Sequence, residues 1–231
     1  MTTSTTPLPI RALATDYDGT LAHNGAVSET TLAAVQRLKQ AGIRLILVTG
    51  RELNELISIF PQIVLFELAV MENGAVLYHP ASGAIEALAN PPPSEFITRL
   101  HERGLPLQLG KVILATWEPH EREVLDAIKD FGLELHVIFN KGAVMVLPSG
   151  VNKATGLRAA LHHLGLKPEE VAGVGDAEND HAFLEMCGLS VAVANALPAI
   201  KEKVRFITKG DHGDGVAELI GRLLGDAEVA K

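Results

Sequence analysis

Ala12-Leu13-Ala14-Thr15-Asp16-Tyr17-Asp18-Gly19-Thr20 decides how this chain folds. A short apolar run that ends abruptly in acidic and turn-forming residues reads as a buried strand carrying polar side chains to its carboxyl end. Working outward, Ser28 caps a helix in which Leu32, Val35 and Leu38 repeat at helical spacing until Gly42 stops it. A second apolar run, Arg44 to Val48, follows at once and ends in Thr49-Gly50-Arg51. Another helical stretch leads past Pro61 to Leu68-Ala69-Val70-Met71, and Glu72-Asn73-Gly74 then turns the chain. Asn-Gly between apolar runs predicts an antiparallel return through Ala75 to Tyr78.

The same alternation resumes after residue 150. A helix is predicted from Lys153 to His163, a strand over Val171-Ala172-Gly173-Val174-Gly175, a helix from Asp180, and short strands at Ser190 to Val193 and Arg205 to Ile207. Strands alternating with helices predict an α/β fold, a Rossmann-like parallel sheet with helices on both faces. Between the halves lie two boundaries rich in Pro, Ser and Gly, His79-Pro80-Ala81-Ser82-Gly83 and Pro148-Ser149-Gly150. They divide the chain into a core of residues 1–80 and 151–231 and an insert of residues 81–150. Inside the insert, helices over Ser94 to Arg103 and His120 to Phe131, strand character over Lys111 to Trp117, and a hairpin about Asn140-Lys141-Gly142 predict a small α+β unit. The length of 231 residues suits a core with one smaller unit.

Composition narrows the function. Lys+Arg 20 against Asp+Glu 28 gives a net charge of −8, which disfavours a broad basic surface for nucleic acid. The single cysteine, Cys187, has no internal disulfide partner and no cluster for zinc or iron–sulfur; in its apolar setting it reads as a small buried hydrophobe. Met1 to Pro9 hold no apolar run of signal-peptide length, and no stretch reaches the ~18 apolar residues of a membrane span. A cytoplasmic protein with no membrane partner is expected.

In an open parallel sheet, ligands bind beyond the carboxyl ends of the strands. Three predicted strand ends converge there, supplying Asp16-Tyr17-Asp18-Gly19-Thr20, Thr49-Gly50-Arg51 and Gly175-Asp176-Ala177-Glu178-Asn179-Asp180. So many carboxylates repel one another unless a cation neutralises them, and oxygen-only ligands favour Mg2+. Thr49 and the backbone N–H of Gly50 suit a phosphate oxygen, and Lys153 at a helix start adds positive charge. Asp16 and Asp18 straddle one residue, so one can attack phosphorus while the other handles protons. Asn179 either satisfies backbone donors at a helix start or contacts the phosphate.

With these motifs in order, the sequence resembles the haloacid dehalogenase-like superfamily, in the Cof-type branch whose cap is inserted between the second and third motifs. Asp16-Tyr17-Asp18-Gly19-Thr20 matches the nucleophile motif, Thr49 the second, Lys153 the third, and Gly175-Asp176 with Asn179-Asp180 the fourth. Glu72-Asn73-Gly74-Ala75 also resembles a segment common in that branch. The resemblance implies that Asp16 is the nucleophile and Asp18 the acid/base. It also implies that Asp16, the main-chain oxygen of Asp18, Asp176 and Asp180 hold Mg2+. Compact-cap members resemble archaeal-type phosphoglycolate phosphatases and sugar-phosphate phosphatases. The expected function is therefore Mg2+-dependent hydrolysis of a small phosphorylated metabolite through an aspartyl-phosphate.

The alternatives are a phosphomutase of the same superfamily and a non-catalytic phosphosugar-binding protein. Dinucleotide binding is disfavoured, because Gly173-Val174-Gly175 lacks the third glycine and Asp176 would face a pyrophosphate. The adjacent His162 and His163 point in different directions on a helix and read as surface residues. Asp211-His212-Gly213-Asp214-Gly215 resembles a loop capping the last helix. Trp117 and Phe139 either pack the insert's core or wall the substrate.

Overall fold

The computed structural model describes residues 9–140 and 142–226. Most of the amino-terminal stretch read above, and Lys141 in the expected hairpin turn, lie outside the described residues. In the first part of the chain come β1 (Ala12–Asp16), α1 (Glu29–Gln40), β2 (Arg44–Val48), α2 (Leu53–Ile59), β3 (Leu68–Met71), β4 (Val76–His79) and β5 (Ala84–Ala87). The middle holds α3 (Ser94–Glu102), β6 (Gln108–Leu109), β7 (Leu114–Trp117), α4 (Glu121–Asp130), β8 (Leu135–Asn140) and β9 (Ala143–Pro148). The last part holds α5 (Lys153–Leu164), β10 (Val171–Gly175), α6 (His181–Met186), β11 (Leu189–Ala192), α7 (Pro198–Lys201), β12 (Phe206–Ile207) and α8 (His212–Leu224).

Eight strands form one sheet in the order β12-β11-β10-β1-β2-β3-β4-β5. The strands from β12 to β3 run parallel, and β4 and β5 are antiparallel. β1 lies between β10 and β2, buried along its whole length. A strand covered on both faces has no polar side to display, which is why it reads as an unbroken apolar run. Two helical layers cover the sheet, α1 packing with α8 and α5 with α6. Ser28 caps α1 as its position predicts, its Oγ accepting the Thr31 N–H at 3.1 Å.

A second, antiparallel sheet runs β6-β7-β9-β8. Leu114 and Val146 on one of its faces pack with Phe96, Leu100, Val124 and Ala127 of α3 and α4 into a separate small core. Residues alternate between faces along a strand. Ala115, Trp117, Ala143 and Met145 therefore lie on the opposite face, and they line a cavity together with the first sheet's strand-end residues.

Three local expectations need revision. Ala84–Ala87, within the stretch assigned to the insert, pairs with β4 and extends the large sheet. All four of its residues are exposed, so no apolar alternation marks it. Strand character expected from Lys111 begins only at Leu114, because the N–H groups of Lys111, Val112 and Ile113 are taken by the Glu72 carboxylate at 2.7, 2.9 and 3.0 Å. Asp211-His212-Gly213-Asp214-Gly215 is not a loop: α8 starts at His212 and the segment forms its first turn.

Candidate active site

β1 ends on Asp16, and the chain then folds back on itself, with the Leu21 N–H donating to the Asp16 carbonyl oxygen at 3.3 Å. Gly19 makes this turn possible. It sits at φ +91°, and a Cβ there would overlap the carboxylate of Asp176. Glycine meets both demands, being free at positive φ and without side-chain bulk. The Gly19 carbonyl accepts from Asn195 Nδ2 at 2.8 Å and faces the ring Nδ1 of His212 at the same distance. The start of α8 thus braces the loop after β1, giving the 211–215 segment a structural role.

Lys153, the first residue of α5, reaches into the space beyond β1. Its Nζ donates to Asp16 Oδ1 at 2.7 Å and to Asp180 Oδ1 at 2.6 Å, with all three side chains buried. The other Asp180 oxygen accepts the backbone N–H groups of Asp176 and Ala177, both at 2.9 Å, and so folds the loop after β10 around itself. Thr20 Oγ1 donates to Asp176 Oδ1 at 2.8 Å. Carboxylate oxygens of Asp16, Asp176 and Asp180 all lie within 4.8 Å of one another. When ionised, three buried carboxylates against one ammonium leave negative charge uncompensated, at several kcal/mol for each unpaired buried ion. The donors are all oxygen, the chemistry of a hard divalent cation. These residues therefore fit such an ion.

The electrostatics follow from burial. Removal from water raises the Asp16 carboxyl well above its usual range, the neighbouring charges of Asp180 and Asp176 add to this, and Lys153 opposes it. For Lys153, burial favours the neutral amine, but the charges of Asp16 and Asp180 outweigh it and keep the ammonium form.

Asp18 stands apart from the three. Its two oxygens are held by Arg51, through Nε at 2.6 Å and a terminal nitrogen at 2.8 Å, and Arg51 also pairs with Glu55. This bidentate fork fixes the carboxylate at the cavity wall. Thr49 is buried at the end of β2; its Oγ1 accepts the Arg51 N–H at 3.1 Å. Gly50 lies against Asn73, which in turn accepts from Asn179 Nδ2 at 3.0 Å. The cavity of about 310 Å3 is lined by Asp16, Asp18, Thr49, Gly50, Lys153 and Asn179 on one side and by the smaller sheet on the other. Asp176 and Asp180, both buried, are not among its lining residues.

Sequence reasoning missed three residues that shape the site. Arg51 was visible only as the neighbour of Thr49-Gly50; its partner is 33 residues away. Glu72 and Asn73 read as turn residues, yet both are buried and their side chains bond across to other elements. Of the two aromatics, Trp117 is at the cavity and Phe139 is exposed and outside its lining. Cys187 is buried, which pushes its thiol up to about 12 and leaves it inert.

Comparison with known proteins identifies the family. Residues 13–111 and 107–220 match the family model of haloacid dehalogenase-like hydrolases. A phosphoglycolate phosphatase of Methanothermobacter thermautotrophicus is 31% identical over 227 residues, covering 94% of this chain and 100% of the relative. Phosphoglycolate phosphatase 2 of Saccharolobus solfataricus is 28% identical over 219 residues, covering 92% and 91%. Among solved structures, a haloacid dehalogenase-like hydrolase from Bacteroides thetaiotaomicron superposes with a TM-score of 0.79 at 20% identity, covering 93% of this chain and 99% of that one. No helix among the described residues is long and apolar enough to cross a membrane.

Proposed function

The chain belongs to the haloacid dehalogenase-like hydrolases and is a phosphatase; from that premise we propose that it is a Mg2+-dependent enzyme for small metabolites of the phosphoglycolate or sugar-phosphate class. Asp16, Asp176 and Asp180 would hold the cation, which when bound supplies positive charge for the phosphoryl oxygens. The observation that carries the reading is one arrangement: Asp16, buried and 2.7 Å from Lys153, opens onto the same cavity as Asp18.

The protein's own side chains divide the work. A carboxylate oxygen of Asp16 attacks phosphorus, and the bond from phosphorus to the ester oxygen breaks as protonated Asp18 gives that oxygen its proton. The alcohol leaves. Asp18, now a carboxylate, takes a proton from water, whose oxygen attacks phosphorus and releases inorganic phosphate and free Asp16. Arg51 holds Asp18 through both oxygens while it is a carboxylate, and one of these contacts gives way when Asp18 carries the proton. Lys153 holds Asp16 in place, and Thr49, the Gly50 N–H and Asn179 offer donors to the phosphoryl oxygens.

The insert beyond β5, from α3 to β9, is in this reading a cap that selects the substrate. Ala115, Trp117, Ala143 and Met145 face the cavity across from the carboxylates, where the leaving group of an ester held at Asp16 would project. Small differences in fit there separate substrates by about 1–3 kcal/mol per lost contact. The test is phosphate release from a panel of phosphorylated metabolites with Mg2+ and with excess chelator, together with acid-quench trapping of a hydroxylamine-sensitive acyl phosphate. Release that survives chelation overturns the cation assignment; a phosphoryl group trapped on another residue overturns that of Asp16.

A further inference from the structure

A second group of convergent ligands lies at the far end of α5. Gly156 of α5 packs against the Val70 side chain, which marks the sheet face that α5 covers. Val70 pairs with Leu77, and Leu77 pairs with Glu86, so Leu77 and Glu86 share that face. His79, two residues on from Leu77, points the same way. His163, near the carboxyl end of α5, comes down over both. Its Nε2 is 3.1 Å from Glu86 Oε2, and its ring meets that of His79 edge-on with centroids 5.4 Å apart. One donor atom from each of His79, Glu86 and His163 lies within 4.8 Å of the others.

We propose that His79, Glu86 and His163 form a surface site for a borderline divalent cation, Zn2+ above all. Two imidazoles and one carboxylate are the three-ligand set that leaves a fourth tetrahedral position to water. Bonds of about 2.0–2.2 Å require donors roughly 3.4 Å apart, a separation that the half-exposed side chains reach by small torsional changes. Nitrogen donors separate this site chemically from the all-oxygen cluster at Asp16, Asp176 and Asp180, which suits a hard cation. It is separate in space as well, since Lys153 and His163 are ten residues apart on one helix, or about 15 Å. A bound cation would tie the edge strand β5 and its neighbour β4 to the helix that carries Lys153. Sequence spacing hid the site because its ligands come from three elements.

The test uses the full-length protein with millimolar Mg2+ present to occupy the oxygen cluster. Titration with Zn2+ should show one tight equivalent and a higher melting temperature, and Co2+ should give the visible absorption of a low-coordinate site with nitrogen ligands. His163→Ala and, separately, Glu86→Gln should weaken Zn2+ by about tenfold or more, the least expected for a lost direct ligand. Mg2+-dependent phosphate release should persist in both variants, so the result does not depend on the catalytic assignment. Zn2+ binding that is absent, or unchanged in both variants, overturns the proposal.

Discussion

Glu72→Gln is the substitution whose consequence can be worked most fully. Glu72 is 1% exposed, and its two oxygens accept three consecutive backbone N–H groups on the segment entering β7. Gly110 completes the fit, since a Cβ there would lie 2.7 Å from the carboxylate. Glutamine has the same shape but only one acceptor oxygen. In its better orientation that oxygen keeps Val112 and Ile113, and the new NH2 group confronts the Lys111 N–H. An unpaired buried donor costs about 1–3 kcal/mol, and two charge-assisted bonds fall to neutral strength at about 1 kcal/mol each. Relief from burying a charge returns part of this, leaving a loss of about 3 kcal/mol, a large share of a typical 5–15 kcal/mol stability. Urea denaturation should show it as a lower midpoint. Because the same segment leads into Ala115 and Trp117 at the cavity, KM should rise more than kcat falls. A stability change below about 0.5 kcal/mol with unaltered KM would refute the reasoning.

Asp16→Asn should remove turnover by roughly three decades or more while the chain still folds, measured by phosphate release and circular dichroism. Gly19→Ala should be worse for folding than any neighbouring surface change, combining about 1–2 kcal/mol of backbone strain with the clash against Asp176; recovery of wild-type stability and activity would contradict the packing described. Arg51→Met frees the Asp18 carboxylate and should lower kcat about tenfold to a hundredfold with a smaller change in KM, read from steady-state kinetics. Trp117→Ala should shift relative kcat/KM among phosphate esters by about 1–3 kcal/mol but change hydrolysis of a small aryl phosphate far less. Equal losses on every substrate would remove Trp117 from the selecting surface.

What could be read in advance follows a physical division. Strands such as Ala12–Asp16 and Val171–Gly175 are buried on both faces, so they appear as apolar runs and their polar ends stand out. The carboxylates at those ends, Asp16 and Asp176, were legible for the same reason. Ala84–Ala87 was not, because an exposed edge strand has no face to hide and it followed a Pro-Ala-Ser-Gly turn. The bonding role of Glu72, noted only as part of a turn and of a segment common in the branch, was hidden for a different reason: its partners are backbone N–H groups 39 to 41 residues on, which every residue type possesses. Nor does spacing reveal Arg51 with Asp18, since a fork between two loops depends on how far apart their strands end.

The position of β1 between β10 and β2 has a bearing on how the molecule is made. Asp16 is 137 residues from Lys153, and Thr20 is 156 from Asp176. As the chain leaves the ribosome, the strand bearing Asp16 can pair with β2 at once, but its other edge must wait until β10 has been synthesised. At about 5–20 residues per second, the pause between them is on the order of ten seconds, with an apolar strand edge open to other chains. The smaller sheet is complete before β10 emerges, and its own compact core shortens the loop that must close. The nascent chain therefore assembles its buried carboxylate cluster only after the smaller sheet is complete, and substitutions that slow the smaller sheet's folding should lower the yield of soluble protein even where they leave the finished molecule unharmed.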